Sequence, residues 1–317
     1  MFTSSLQGWL RSCSVGAFAV ALLGGAFPAS AEIQLTLRNS FIEKYKNRTS
    51  VEDTCIVDHS KGKANPASKD GDMHVAVRCP KEIALPLVAE IMNAKDHQDA
   101  IDLSKATEFD GSKIVIKGAW RIWNEHAGDA SFRQGSPVAK AENTNPDHVF
   151  EIHPVTEFGP IDVRASFKPI VGYKAKKAED AFHRYENTRS KIVPGKTTTR
   201  IVSPGLGYNY VEFQMRLNEK PFPVDDGSFA FAQVRDWDGE LIHRKRRMVF
   251  VKDTPPELAV RDKKSGDCLR VLGMPRLDLA LVSWRTRNAK TNPDVLTWNL
   301  PYEMIVVGTY DEPCVTD

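Results

Sequence analysis

Residues 113–123, KIVIKGAWRIW, show the clearest strand pattern in the chain and decide its predicted fold. Apolar or small residues recur at every second position from Ile114 to Ile122, which is typical of a strand with one buried face. A stretch with near-helical spacing, residues 93–105, precedes this strand. Other strand-like segments lie on both sides of it, at residues 54–57, 73–78, 83–92 and 149–155. Five strands with a helix between the third and fourth follow the order of an OB-type barrel, so the sequence predicts a mainly β fold with an OB-like small barrel over residues 32–165.

The second half of the chain also contains strand patterns. Apolar side chains alternate from Val211 to Leu217, and Asp238-Gly239 predicts a hairpin turn. An amphipathic helix is predicted before them, at residues 176–186. No internal repeat stands out in the sequence. We expect a second β-rich domain, built either as a sandwich or as an α+β domain.

The charge distribution suggests where the two halves divide. Acidic residues outnumber basic ones over residues 32–165, and the reverse holds for residues 166–317. A Pro194-Gly195 turn follows the amphipathic helix and is typical of a connector. We therefore predict four segments, a signal peptide at 1–31, an OB-like barrel at 32–165, a helix and linker at 166–195 and a β-rich domain at 196–317.

The N-terminal residues resemble a secretory signal. Arg11 is the only charged residue before Glu32, residues 15–27 are apolar, and Ala29-Ser30-Ala31 matches a small-residue cleavage site. An apolar core of this length is too short to span a bilayer, which needs about 20 residues. An uncleaved N-terminal anchor is the alternative interpretation. We expect cleavage near Ala31 and a periplasmic or secreted protein without a transmembrane span.

Export gives the cysteines a structural interpretation. Cys13 would be removed with the signal, leaving Cys55, Cys79, Cys268 and Cys314. An even number of cysteines in an oxidising compartment favours disulfide bonds, and four cysteines allow three pairings. We favour Cys55–Cys79 and Cys268–Cys314, because each bond then stays within one predicted domain.

The candidate functional residues are histidines and carboxylates of the N-terminal half, Asp72, His74, His126, Glu151 and His153. On a strand, Asp72 and His74 point to one face, and Glu151 and His153 also share a face. Imidazole nitrogens and carboxylate oxygens at one end of a barrel would suit zinc or a similar divalent ion. The competing interpretation is a hydrogen-bond network that closes turns and satisfies buried backbone groups.

The same segments resemble a set of uncharacterised bacterial secreted domains with the pattern D-G-D-x-H followed by E-I-H-P-V. The matching residues are Asp70, Gly71, Asp72, His74, Gly118, Glu125, His126, Glu151, Ile152, His153 and Pro154. The resemblance covers about 90 residues of the N-terminal half and none of the C-terminal half. This chain departs from it by a long insertion at residues 128–147. The resemblance implies an OB-like domain and supplies no reaction.

A basic run in the second half is a weaker binding candidate. Arg244, Lys245, Arg246 and Arg247 lie beside an apolar strand, where they would bind phosphate or an anionic envelope surface. A solvated strand edge guarded by charge is the alternative. A formal net charge of +2 over 317 residues makes nucleic acid an unexpected partner.

Motifs of common enzymes are missing from the sequence. It contains no G-x-S-x-G elbow, P-loop, G-x-G-x-x-G fingerprint or H-E-x-x-H helix. We therefore expect a non-enzymatic binding module for an envelope ligand or protein. The alternative is a metal-dependent hydrolase, in which the Asp/His/Glu cluster holds an ion that activates water.

Overall fold

The computed structural model describes residues 32–128, 130–207, 209–287 and 296–315. The predicted signal peptide, residues 1–31, lies outside the described residues. The described residues all belong to one compact unit. None of the helices in the described ranges is both long and apolar enough to cross a membrane.

The described residues form 18 strands and five α-helices. In the first part of the chain these are β1 (Glu32–Arg38), α1 (Asn39–Tyr45), β2 (Ser50–Ser60), β3 (Met73–Arg78), β4 (Leu87–Ile91), α2 (Gln98–Asp110), β5 (Lys113–Ile122), β6 (Ser131–Arg133), β7 (Phe150–Phe158) and β8 (Ile161–Asp162). The second part contains β9 (Lys176–Lys177), α3 (Ala178–Asn187), β10 (Arg189–Pro194), β11 (Thr198–Pro204), β12 (Val211–Leu217), β13 (Phe222–Val224), β14 (Gly227–Arg235), β15 (Leu241–Val251), α4 (Pro255–Val260), β16 (Cys268–Leu277), α5 (Leu279–Arg287), β17 (Leu296–Asn299) and β18 (Tyr302–Thr309).

The first barrel closes in the strand order β2-β3-β4-β7-β5 and back to β2. Strands β4 and β7 are parallel, and the other neighbours are antiparallel. Helix α2 connects β4 to β5. An added Cβ at Gly118 would lie 2.4 Å from the Pro154 carbonyl oxygen, so glycine allows β5 to approach β7 closely. This is the order and connectivity of an OB-like barrel, and the sequence prediction is confirmed.

The second barrel closes in the order β12-β14-β15-β18-β16 and back to β12. Its third and fifth strands, β15 and β18, are again the parallel pair. Helix α4 again lies between the third and fourth strands. The predicted β-rich second half is confirmed. Its architecture is a closed barrel, whereas the sequence pattern favoured either a sandwich or an α+β domain.

A separate five-stranded sheet combines strands from both halves of the sequence, in the order β17-β10-β11-β1-β6. Its N-terminal strand β1 pairs with β11 along its whole length, from Glu32 opposite Pro204 to Arg38 opposite Thr198. This sheet therefore crosses the domain limits predicted at residues 165 and 195, which remain a prediction from sequence.

Two disulfide bonds tie strands of each barrel together. Cys55 in β2 bonds to Cys79 after β3, and Cys268 at the start of β16 bonds to Cys314 after β18. The favoured pairing is confirmed. Disulfides of this kind are compatible with a periplasmic or extracellular protein.

The two barrels pack against each other through an apolar layer. On the first barrel it contains Met92 and Ala119. On the second barrel it contains Phe229, Val249, Val251, Leu272, Met274, Ile305 and Val307. The polar residues of interest lie on the same side of the first barrel as Met92 and Ala119, so they are enclosed between the barrels.

Candidate metal centre

A cluster of ionisable side chains lies buried between the barrels. Its members come from strands β4, β5 and β7, from the segments just before β3 and β7, and from the residue before β12, and each is at most 2% exposed. We call the following set the buried cluster: Asp72, Glu90, Arg121, His148, Glu151, His153 and Tyr210. The alternation of the strands explains the arrangement, because side chains on one face of β4, β5 and β7 all point toward the second barrel.

His153 lies at the centre of the buried cluster, and both of its ring nitrogens face acids. Its Nε2 lies 2.8 Å from the Tyr210 hydroxyl and 3.3 Å from Oδ2 of Asp72. Its Nδ1 lies 3.1 Å from Oε2 of Glu151 and 3.3 Å from Oε2 of Glu90. The Tyr210 hydroxyl donates to Asp72 at 2.6 Å. A residue of the second barrel's entry segment thus completes a site built on the first barrel.

Arg121 and His148 flank the other side of Glu151. The Arg121 guanidinium contacts Oε2 of Glu151 at 2.5 Å and the partly buried Glu125 at 3.0 Å. His148 Nε2 lies 3.5 Å from Oε1 of Glu151. Its Nδ1 lies 2.7 Å from the carbonyl oxygen of Pro146, so Nδ1 carries the proton and donates.

Burial and charge shift the pKa values of the cluster in opposite directions. Burial raises the pKa of Glu90 to about 8, and burial also raises the pKa of Asp72 against the effect of His153. Burial has the same tendency at Glu151, but Arg121 and the neighbouring histidines outweigh it and hold that pKa well below its usual range. Burial alone would lower the pKa of His153, but Glu90, Asp72 and Glu151 raise it well above the ordinary value.

Two overlapping groups of side chains in the described part of the chain can hold a metal ion. One is Asp72, Glu90 and His153, and the other is Glu90, His148 and Glu151. In each group the ligand atoms lie within 4.8 Å of one another. Two buried atoms, Asp72 Oδ1 and His148 Nε2, have no hydrogen-bond partner among the described residues. The donor set of imidazole and carboxylate, with acceptors to spare, fits a divalent cation.

The structure brings together three of the five residues predicted for the site, Asp72, Glu151 and His153. His74 lies at the margin, with Nε2 3.5 Å from Oε2 of Glu90. Its pKa is lowered by burial. His126 stacks on His148 with 5.2 Å between ring centroids, and it belongs to neither group of metal ligands.

Sequence reasoning missed Glu90, Arg121, His148 and Tyr210. Glu90 and Arg121 each interrupt an apolar strand, in LVAEI and GAWRI, and a charge inside such a run is a signal for a buried ion pair. Tyr210 directly precedes the alternating strand β12. Its hydroxyl contact with Asp72 spans 138 residues, so no local pattern indicates it.

The predicted basic run lies on β15 and is partly used within the fold. Arg246 stacks on Tyr302 and Arg247 stacks on Phe229, each with 3.8 Å from the guanidinium carbon to the ring centroid. Arg244 and Lys245 are exposed. A binding role for this run stays a prediction.

A comparison with protein-family models and with curated protein sequences found no match.

Proposed function

We propose that this chain is an exported, non-enzymatic binding protein that holds one divalent metal ion in the buried cluster. Asp72, Glu90 and His153 are the proposed ligands, and zinc is the proposed metal because it accepts both imidazole and carboxylate. The Nδ1 of His153 faces Glu151 at 3.1 Å. Oε2 of Glu90 lies 3.3 Å from the same nitrogen, and Oδ2 of Asp72 lies 3.3 Å from Nε2, so carboxyl groups flank both nitrogens of the imidazole.

The observation that supports this proposal is an excess of carboxyl groups over guanidinium groups in the buried cluster, which a divalent ion would balance and which protons on Glu90 and His153 balance in the metal-free protein. The buried cluster contains three carboxyl groups, those of Asp72, Glu90 and Glu151, and one guanidinium, that of Arg121, which pairs with Glu151 and with the partly buried Glu125. When all are ionised, two negative charges remain uncompensated. Buried charges are normally paired or bound to metal, because isolated ones are costly to desolvate. One divalent ion balances this set with both histidines neutral.

The second barrel supplies a comparison within the same molecule. There the buried Glu303 faces two guanidinium groups, with Arg276 at 2.8 Å and Arg247 at 3.1 Å. The excess of carboxylate is therefore specific to the first barrel. It is not a requirement of the barrel fold, since the second barrel has the same strand order without it.

A hydrolase that uses Asp72, His74, His126, Glu151 and His153 remains the alternative proposal. Catalytic metal sites keep a coordination position open for water or substrate. Asp72, Glu151 and His153 are at most 1% exposed, which favours a bound structural ion over turnover.

The proposal is tested by elemental analysis of the exported, untagged protein, combined with thermal unfolding before and after chelation. We expect about one divalent ion per chain, and a Tm that falls on chelation and recovers when zinc is added. Asp72→Asn and Glu90→Gln should lose the ion. The matched control is Asp58→Asn, a buried carboxylate of the first barrel that pairs with Arg78 instead, and it should keep the ion.

Metal-free protein whose Tm does not respond to zinc, manganese, calcium or magnesium would overturn the proposal. The cluster would then be a hydrogen-bond network neutralised by protons. Recovery by manganese but not by zinc would keep the site and replace the metal.

A further inference from the structure

We infer that the two barrels are copies of one unit, and that they pair with each other through the same surface, as the two halves of a pseudo-symmetric dimer. This inference concerns the architecture and does not rest on the proposed metal ion.

The equivalence of the barrels begins with their fourth and fifth strands. Strand β5 contains GAWRI at 118–122, and strand β16 contains GMPRL at 273–277. The shared arginines, Arg121 and Arg276, each lie opposite the second residue of the fifth strand, Glu151 or Glu303. Each arginine also forms a buried ion pair with that glutamate. The fifth strands begin with matching sequences, FEI in β7 and YEM in β18.

The arginines cross between the barrels in a reciprocal way. Arg121 donates from Nε to the carbonyl oxygen of Pro275, the residue before Arg276, at 3.0 Å. Arg276 donates from Nη1 to the carbonyl oxygen of Trp120, the residue before Arg121, also at 3.0 Å. In a two-fold, self-complementary interface, each contact between two residues is repeated by their equivalents in the opposite direction.

A second pair of contacts follows the same rule. Val51 and Val211 are equivalent, because each lies opposite the glycine of its G-x-x-R segment. The residues before them are therefore also equivalent, and both donate a hydroxyl across the interface. Tyr210 donates to Asp72 at 2.6 Å, and Ser50 donates to Asp226 at 3.0 Å.

The acceptors of this second pair also occupy corresponding places. Asp72 immediately precedes β3 and Asp226 immediately precedes β14, the second strands of the two barrels. Four contacts between the barrels thus form two reciprocal pairs. A chance packing of unrelated barrels would not produce this correspondence.

The strand registers also show how the copies have diverged. Ala89 lies opposite Ile152 in the first barrel, and Met248 lies opposite Met304 in the second. One residue further along each strand, Glu90 and His153 correspond to Val249 and Ile305. The polar face of the first barrel, which carries Glu90 and His153, is thus covered by the corresponding face of the second barrel, where the equivalent residues are apolar. Tyr210 of the second copy completes the site on the first.

Hydrogen exchange followed by mass spectrometry on the full chain tests the reciprocal pairing. In Arg276→Lys the amine keeps a charge for Glu303 but cannot bond to several carbonyl groups at once. We expect exchange to become about tenfold faster or more in residues 118–121 of the first barrel as well as in residues 273–277. The reciprocal variant, Arg121→Lys, should accelerate exchange in residues 273–277 of the second barrel.

Arg78→Lys is the matched control, since Arg78 pairs with Asp58 inside the first barrel. Its effect should stay within that barrel. Acceleration confined in each variant to the barrel that carries the substitution would overturn the inference, because the arginines would then act locally. If one of the two arginine variants does not fold, the exchange pattern of the other variant decides whether the inference stands.

Discussion

Tyr210 is the residue through which the second barrel reaches the buried cluster. Its hydroxyl bonds to Asp72 and lies beside His153, and its ring packs edge-on against the His153 ring at 5.6 Å. Because the hydroxyl is fully buried, burial raises the pKa of Tyr210 well above its usual value, so it remains a donor at neutral pH. The carboxylate of Asp72 depends on this donor, since its other oxygen has no hydrogen-bond partner among the described residues.

Tyr210→Phe should therefore lower the free energy of unfolding by about 1–3 kcal/mol, the usual cost of leaving a buried acceptor unsatisfied. Urea denaturation measures this change. Tyr173→Phe is the control, because Tyr173 packs against the Tyr210 ring at 5.6 Å without a hydrogen bond to the cluster. Equal stability of the two variants would show that the hydroxyl contact contributes nothing.

Glu90 makes the stability of the metal-free protein depend on pH. Its pKa rises from 4.5 to about 8 on folding, so the folded state binds the proton more tightly than the unfolded state. The stability contributed is present below the unfolded pKa and is lost as pH rises toward 8. We expect a slope of up to about 1.4 kcal/mol per pH unit between these values in chelated protein.

Denaturation of chelated protein at several pH values measures this slope. Glu90→Gln should flatten it, whereas Glu157→Gln, a partly exposed glutamate of the same barrel paired with Lys117, should not. A wild-type protein that becomes more stable from pH 5 to 8 after chelation would contradict the assignment of a protonated Glu90.

At the scale of secondary-structure elements, each disulfide joins two strands that are neighbours in their barrel's closing order. Cys55–Cys79 links β2 to the segment after β3, at a sequence separation of 24. Cys268–Cys314 links the start of β16 to the segment after β18, across 46 residues. The second bond closes the longer loop and therefore restricts the unfolded chain more.

Replacing either pair by alanine should lower stability by about 3–4 kcal/mol in the chain-entropy model, with the larger loss for Cys268→Ala/Cys314→Ala. Chemical denaturation of the two double variants gives the comparison. An unchanged midpoint for one of them would show that its bond adds no constraint to the unfolded chain.

At the scale of the whole molecule, the barrels share an apolar layer and a set of crossing hydrogen bonds. Arg276 donates to three carbonyl oxygens in or beside the first barrel, those of Arg48, Thr49 and Trp120. Its guanidinium also stacks on the Trp120 ring, with 3.5 Å to the ring centroid. The separate sheet adds main-chain pairing between β1 and β11. Separating the barrels would leave these polar groups unpaired.

We therefore expect the described part of the chain to unfold in one cooperative transition. Scanning calorimetry and tryptophan fluorescence should give the same midpoint, and the calorimetric and van't Hoff enthalpies should agree. Two resolved transitions in the wild-type protein would show that the barrels are thermodynamically independent despite their contacts.

Local pattern was enough to predict the first barrel, because its strands alternate and its helix lies between the third and fourth strands. The same alternation placed Glu151 and His153 on one face. It could not show that Glu90 and Arg121 share that face, since strand register depends on long-range pairing. For the second half, the sequence pattern predicts β-rich structure without its architecture, because period-two alternation is the same in a barrel and in a sandwich.

The sequence by itself determined the mainly β fold, the OB-like order of the first barrel, the favoured cysteine pairing and three members of the cluster, because these follow from short-range periodicity and residue chemistry. Only the tertiary structure decided that the second half repeats the same barrel, that Tyr210 completes the cluster, and that three buried carboxyl groups gather around His153. The physical reason is that strand register and barrel packing bring together residues more than a hundred positions apart. Their burial then determines charge and pKa, which no local segment encodes.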